Sequence, residues 1–212
     1  TNVTFSYKNL QEILMWTFRV WKNWGRTYPQ SERSSGHRDT SSYFHLWVKT
    51  NIWCFRTLCL GKVEPRKQQS YLQSIDATID FAGPIADTNF YHEDKTYLGV
   101  WSREEVYNNL TDYPNLVLFS DGESAPQVTA EALIAGCGVV VSKEASANLD
   151  DSLPFIDVVD RNISHLDLVR TIQKNREASL ENRDAIRKYG IETFDIEKCV
   201  ERYIDKIREI IS

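Results

Sequence analysis

From residue 55 onward, short apolar runs alternate with segments of helical periodicity. FRTLCLG is a brief buried-strand pattern ending in Gly61, and PRKQQSYLQSI follows as a helix with Pro65 near its start. IDFAG reads as a second strand and KTYLGV as a third. WSREEVYNNL carries Ser102 as an N-cap with Glu105 three places on, the pattern of a capping box. NLVLFS is a strand, APQVTAEALIAG a helix with Pro126 in its first turn, GVVVS a strand, and FIDVV one more. Gly136 and Gly138 end that helix and turn tightly into GVVVS. HLDLVRTIQKNREASLENRDAIRKYG predicts one long amphipathic helix with Gly190 as its C-cap, and EKCVERYIDKIREIIS a final helix.

Short β-rich runs alternating with helices predict an α/β fold, a doubly wound Rossmann-like parallel sheet covered on both faces, over residues 54–212. Residues 1–53 differ. They hold five of the six tryptophans and the polar run SERSSGHRDTSS. Leu10, Ile13, Leu14, Phe18 and Trp21 share one face of a helix there, and the Ser-rich run reads as a loop. This part is expected to be an irregular, partly helical extension that packs or docks.

The chain has 212 residues, 42% hydrophobic and 26% charged, enough for a proper core. A formal charge of -5 argues against a broad nucleic-acid surface, although a local Lys/Arg cluster suffices for a phosphate. No apolar run reaches the length of a membrane span, and the amino-terminal stretch lacks signal-peptide order and an initiator Met. The chain therefore reads as a fragment or a processed product. Cys54, Cys59, Cys137 and Cys199 are sparse and irregularly spaced, which predicts free thiols in a reducing, cytoplasmic setting. His37, His45, Cys54 and Cys59 match no common zinc spacing, so no metal site is expected. Without a secretory signal, the sequons at Asn2, Asn109 and Asn162 read as chance matches.

In a doubly wound sheet, ligands bind beyond the carboxyl ends of the strands. Gly61-Lys62 is not a Walker loop, having no glycine five places earlier and no Ser or Thr after the lysine. Gly136-Cys137-Gly138 follows a helix and leads into a strand, the reverse of a dinucleotide fingerprint. The informative stretch is SDGESAPQVTAEALIAG. Its helix start offers free N–H groups and a positive dipole end, suited to phosphate. Glu123 precedes that start, and Glu131 lies eight positions later, roughly 7 to 8 Å into the helix. Carboxylates beside an anion site repel the anion but accept hydrogen bonds from neutral hydroxyls. A ligand with hydroxyls, then phosphates, then hydroxyls is a sugar nucleotide. Glu123 would hold the sugar and Glu131 the ribose, while Lys62, Arg66 and Lys67 in GKVEPRKQ neutralise the diphosphate. The bland alternative is a solvated helix face and an exposed basic helix start.

In that order these segments resemble the carboxyl-terminal, donor-binding domain of a retaining GT-B glycosyltransferase of the large group called family four. The resemblance runs from about residue 57 to the end. It rests on Gly61-Lys62-Val63-Glu64-Pro65-Arg66-Lys67, IDFAG, YLGVWSREEVYNNL, Ser120 to Glu123, Glu131 and the Gly136–Gly138 turn. It implies transfer of a sugar from a nucleotide-diphosphate sugar with the anomeric configuration retained, without cofactor or bound metal. It implies that Glu123 contacts donor-sugar hydroxyls at the reacting end and that Glu131 holds the ribose. Lys62 and Lys67, with Arg66, would grip the diphosphate, and the backbone amides of Gln127 and Val128 would complete the cradle. Ser120 matches the family's serine, and Val100 and Trp101 would lie near the base. Ser124, Ala125 and Pro126 depart from the glycines common after the first glutamate and narrow the approach to the sugar. Lys62 replaces a common arginine, keeping the charge but losing a bidentate fork. Residues 1–53 are too few for the amino-terminal Rossmann-like domain of a complete enzyme, whose acceptor site would be missing, and the final helix would normally cross back towards that domain. The alternatives are a non-catalytic sugar-nucleotide or partner-binding module and, behind it, a sugar-nucleotide epimerase of related fold. The donor base, the sugar and the acceptor have no signature in the sequence.

Overall fold

The computed structural model describes residues 55–211. The expectations for residues 1–53, and those for Cys54, lie outside them. Among the described residues, 55–190 form one compact unit and 191–211 belong to a second.

Five strands make the sheet of the first unit: β1 (Thr57–Leu60), β2 (Ile79–Ala82), β3 (Asn115–Leu118), β4 (Gly138–Ser142) and β5 (Ile156–Val159). Their order is β2-β1-β3-β4-β5 and every pairing is parallel. Helices α1 (Gln69–Ser74), α2 (Arg103–Asn109), α3 (Gln127–Ala135), α4 (His165–Glu181) and α5 (Arg183–Phe194) follow in turn, the last running four residues into the second unit. The predicted doubly wound α/β sheet is thus present. Strands such as TLCL and NLVL are buried at every position because both faces are covered, which is why they read as continuous apolar runs. Cys59, Phe81, Val117, Val140 and Val159 face one layer, packing with Leu72 of α1 and with Leu168 and Ile172 of α4. Leu58, Leu116 and Val139 alternate to the other face, and α3 packs on β3 and β4. At the amino ends of the strands a buried polar chain locks α4 to the sheet. Asn115 Nδ2 donates to Asn175 Oδ1 at 3.0 Å, and Asn175 Nδ2 donates to Asp157 Oδ2 at 2.9 Å.

Four local expectations need correction. PRKQQSYLQSI is not one helix: Pro65–Lys67 forms a 3-10 turn, Gln68 is left-handed at φ 51°, and only then does α1 begin. KTYLGV is not a ladder strand. It runs beside β2, with Phe81 N–H donating to Thr96 O at 2.8 Å and Leu98 N–H to Phe81 O at 2.8 Å, but forms a single bridge. The helix expected over residues 165–190 breaks at Asn182, whose side-chain Nδ2 donates back to Ala178 O at 2.7 Å. Gly190 is therefore no cap. It lies inside α5, where an added Cβ would meet Leu133 C and Ile134 N of α3 at 2.5 Å, so the glycine permits close helix contact. Pro126 is the N-cap of α3, in an extended conformation, rather than a member of its first turn.

Other expectations hold. Ser102 Oγ accepts from Glu105 N–H at 3.2 Å and Glu105 Oε2 from Ser102 N–H at 2.6 Å, the reciprocal capping box. Gly136 ends α3 at φ 84°, and Cys137 N–H reaches back to Ala132 O at 2.8 Å. In the second unit the final helix, α6 (Ile196–Ile211), forms as expected. Its apolar residues Tyr203, Ile204, Ile207, Ile210 and Ile211 are exposed among the described residues. No described helix is long and apolar enough to cross a membrane.

Candidate functional site

The strand order reverses direction between β1 and β3, so the loops leaving those two strands diverge over a crevice at their carboxyl ends. Both loops carry the residues expected at the site. Lys62, Arg66 and Lys67 leave β1, and Ser120 and Glu123 leave β3. The structure ties the loops together across the crevice. Asp121 N–H donates to Arg66 O at 2.9 Å, while Arg66 Nη1 donates to Gly122 O and, at 3.3 Å, to Ser120 Oγ.

The charges interlock. Glu123 Oε1 lies 3.1 Å from Arg66 Nη1 and 3.4 Å from Lys67 Nζ. Glu64 takes Arg66 Nη2 at 2.9 Å and Lys62 Nζ at 3.5 Å. Burial works against the charge on Glu64, but Arg66, Lys67 and Lys62 together hold its carboxyl below the usual range. The backbone around Glu123 is fixed from a third strand: Glu123 N–H donates to Glu144 O at 3.0 Å in the turn after β4, and Ser142 Oγ donates to Ser120 O.

Three supporting residues were not singled out in the sequence. Gln69 is almost wholly buried, and its amide spans the β1 loop, Nε2 donating to Lys62 O at 2.9 Å and Oε1 accepting from Glu64 N–H at 3.2 Å. Glu64 itself is the second. The third is Gly83, at φ 144°, where a Cβ would stand 2.0 Å from Gly61 O. The β1 and β2 loops thus touch backbone to backbone. Only the glycine that ends each strand run hinted at this contact; Gln69 looked like an ordinary helix residue.

Glu131 occupies a different environment. It lies in the second turn of α3, half-buried, and burial pushes its carboxyl up to about 7 while the charge of Arg103 acts against that rise. Arg103 opens α2, directly after Val100, Trp101 and the Ser102 cap. Val100 is 60% exposed, and Trp101 rests on Tyr113 with ring centroids 6.4 Å apart. Gly83 N–H donates to Gly99 O at 2.9 Å, which holds this segment at the carboxyl end of β2. Gln127 and Val128 open α3 between the two acids in sequence. Of the expected residues, Lys62, Arg66, Lys67, Ser120 and Glu123 meet in one contact network, and Glu131 stands apart from it, within the field of Arg103. Cys59 is buried, and burial pushes its thiol up to about 12 while Lys67 acts against that rise. Among the described residues no group of three His, Cys, Asp or Glu is placed to hold a metal ion.

No family model and no curated protein matches the sequence. Solved structures do match. TarM superposes with a TM-score of 0.57 at 15% identity, covering 74% of this chain and 36% of that one. AviGT4, a glycosyltransferase involved in avilamycin A biosynthesis, gives 0.54 at 17% identity, over 72% of this chain and 50% of that one. The fold is one that glycosyltransferases use. Anabaena HepE, solved in complex with UDP, gives 0.55 at 15% identity, over 80% of this chain and 52% of that one. This chain spans from about a third to about half of the length of these proteins.

Proposed function

We propose that residues 54–212 form the donor-binding half of a retaining glycosyltransferase, with a nucleotide-diphosphate sugar as substrate. The observation that carries this reading is the separation of the two acids. Glu123 lies with the cations at the β1/β3 switch point, and Glu131 lies with Arg103, close in sequence to Val100 and Trp101. On this reading the ligand would meet an acid, then cations and a helix start, then an acid, then an apolar shelf. A sugar, a diphosphate, a ribose and a base have that order. Lys62, Arg66 and Lys67 would stabilise the diphosphate as it departs with the bonding electrons of the anomeric carbon. The opening amides of Gln127 and Val128 add the helix dipole to the same task. Glu123 would orient the sugar through its hydroxyls, and Glu131 would accept from the ribose. That HepE has been solved with UDP and with UDP-glucose supports the choice of ligand class.

In this reading the acceptor, a glycan, lipid or protein, binds a second Rossmann-like domain, because the chain spans only part of the matched enzymes. The buried free thiols of Cys59 and Cys137 support a reducing, cytoplasmic setting. A second reading, a non-catalytic module that docks on a partner, is favoured by the exposed apolar stripe of α6.

Thermal melts with a panel of uridine, guanosine and adenosine diphosphate sugars test the proposal. At least one should stabilise the chain, and Glu131→Ala should remove most of that shift. No shift with any member overturns it. Binding without sugar transfer or donor hydrolysis, in the presence of the matching amino-terminal domain, favours the second reading.

A further inference from the structure

We infer that Glu123 determines specificity at this site by discriminating a diphosphate that carries a sugar from one that does not. The inference rests on the donor reading above. Glu123 Oε1 already occupies Arg66 and Lys67, at 3.1 and 3.4 Å. The Glu123 and Lys67 side chains are each only 16% exposed, so this is a substantially desolvated pair. The cluster holds three cations, Lys62, Arg66 and Lys67, against two carboxylates, Glu64 and Glu123. A diphosphate needs the same donors that Glu123 is using. It enters by exchange: phosphate oxygens take Arg66 and Lys67, and the Glu123 carboxylate rotates away.

The exchange leaves the loop in place. Arg66 keeps its bonds to Gly122 O and Ser120 Oγ, and Glu123 N–H keeps Glu144 O. Only a side chain moves, and its carboxylate then needs new donors. Hydroxyls of a sugar joined to the diphosphate supply them. Pyrophosphate or a nucleoside diphosphate supplies none and leaves the carboxylate beside an anion, with the long Ser120 hydroxyl contact, 3.4 Å from Oε1, in place of two cations. The site therefore favours donor substrate over its own nucleotide product.

Calorimetric titration of the full chain tests this, using pyrophosphate and the pairs UDP/UDP-glucose, GDP/GDP-mannose and ADP/ADP-glucose. Glu123→Gln should bind pyrophosphate and the nucleoside diphosphate of the recognised pair about tenfold or more tightly than wild type. Binding of the sugar ester should stay level or weaken, so the preference for ester over diphosphate collapses. Glu64→Gln, which removes an anion that no ligand group replaces, should tighten all ligands alike and leave the preference intact. If Glu123→Gln unfolds, Glu123→Asp, which draws the charge back by one methylene, should shift the preference in the same direction. A Glu123 variant that leaves the ratio unchanged, or weakens the bare diphosphate, overturns the exchange but not the donor reading. Failure of every pair and of pyrophosphate, in wild type and variants alike, overturns the donor reading itself.

Discussion

Glu131→Gln replaces a carboxyl group that burial keeps protonated up to about pH 7. Burial raises the group from 4.5 to about 7, a difference of about 2.5 pH units. At 1.36 kcal/mol per unit this amounts to roughly 3 kcal/mol. Between those values the folded chain keeps a proton that the unfolded chain has lost. Stability from this group is therefore fully present below pH 4.5 and is lost as the pH rises through 7. Glutamine keeps the shape without the charge. The variant should match wild type near pH 4.5 and exceed it near pH 8, by up to roughly 6 to 12 °C in Tm for a chain of this size. Paired thermal melts from pH 4.5 to 8.5 measure the difference curve. The donor reading adds a second curve. Hydroxyls donating to the carboxylate favour its charged form, so a bound sugar nucleotide expels the proton and wild-type affinity should rise from pH 5.5 to 8. That rise should vanish in Glu131→Gln. A variant less stable than wild type by the same amount at every pH would refute the argument, because it would show a carboxylate that the fold uses in its charged form.

Other substitutions probe the scaffold. Gly83→Ala places a methyl 2.0 Å from Gly61 O at a φ of 144°, and should cost about 3 kcal/mol or more in urea denaturation. Gln69→Leu removes the buried amide that holds Lys62 O and Glu64 N–H in a partly buried loop; it should lower stability by about 1 to 2 kcal/mol and weaken pyrophosphate binding measured by calorimetry. Ser102→Ala opens the α2 capping box and should cost about 1 kcal/mol in the same denaturation assay, leaving pyrophosphate affinity unchanged.

The sheet was legible in the sequence because parallel strands covered on both faces appear as mainly apolar runs between helical segments, as TLCL, NLVL and GVVVS do, and as IDFA does around its buried Asp80. Caps were legible where the chemistry is local, as at Ser102 with Glu105 and at Gly136. What failed was set by distant contacts. Nothing near Gly190 announces that α3 presses on it, so the glycine looked like a terminator. Asn182 breaks its helix where the apolar period runs on unchanged. KTYLGV has a strand's composition but makes only one bridge to β2. The basic loop of Lys62, Arg66 and Lys67 and the Ser120–Glu123 loop were readable as loops, since each follows a strand. Their pairing was not. The sequence spacing of Glu123 and Arg66 carries no sign that they meet across the switch point, or that buried Gln69 holds the β1 loop in shape.

Amide chemical-shift mapping during titration with the stabilising sugar nucleotide shows where the ligand sits. A sugar nucleotide bound at the β1/β3 switch point and the start of α3 should give the largest changes at Gly61–Lys67, Val100–Trp101 and Ser120–Glu131, the Pro65 and Pro126 positions giving no amide signal. Saturable changes concentrated instead on α4 or α6, with those segments unmoved, would contradict that placement.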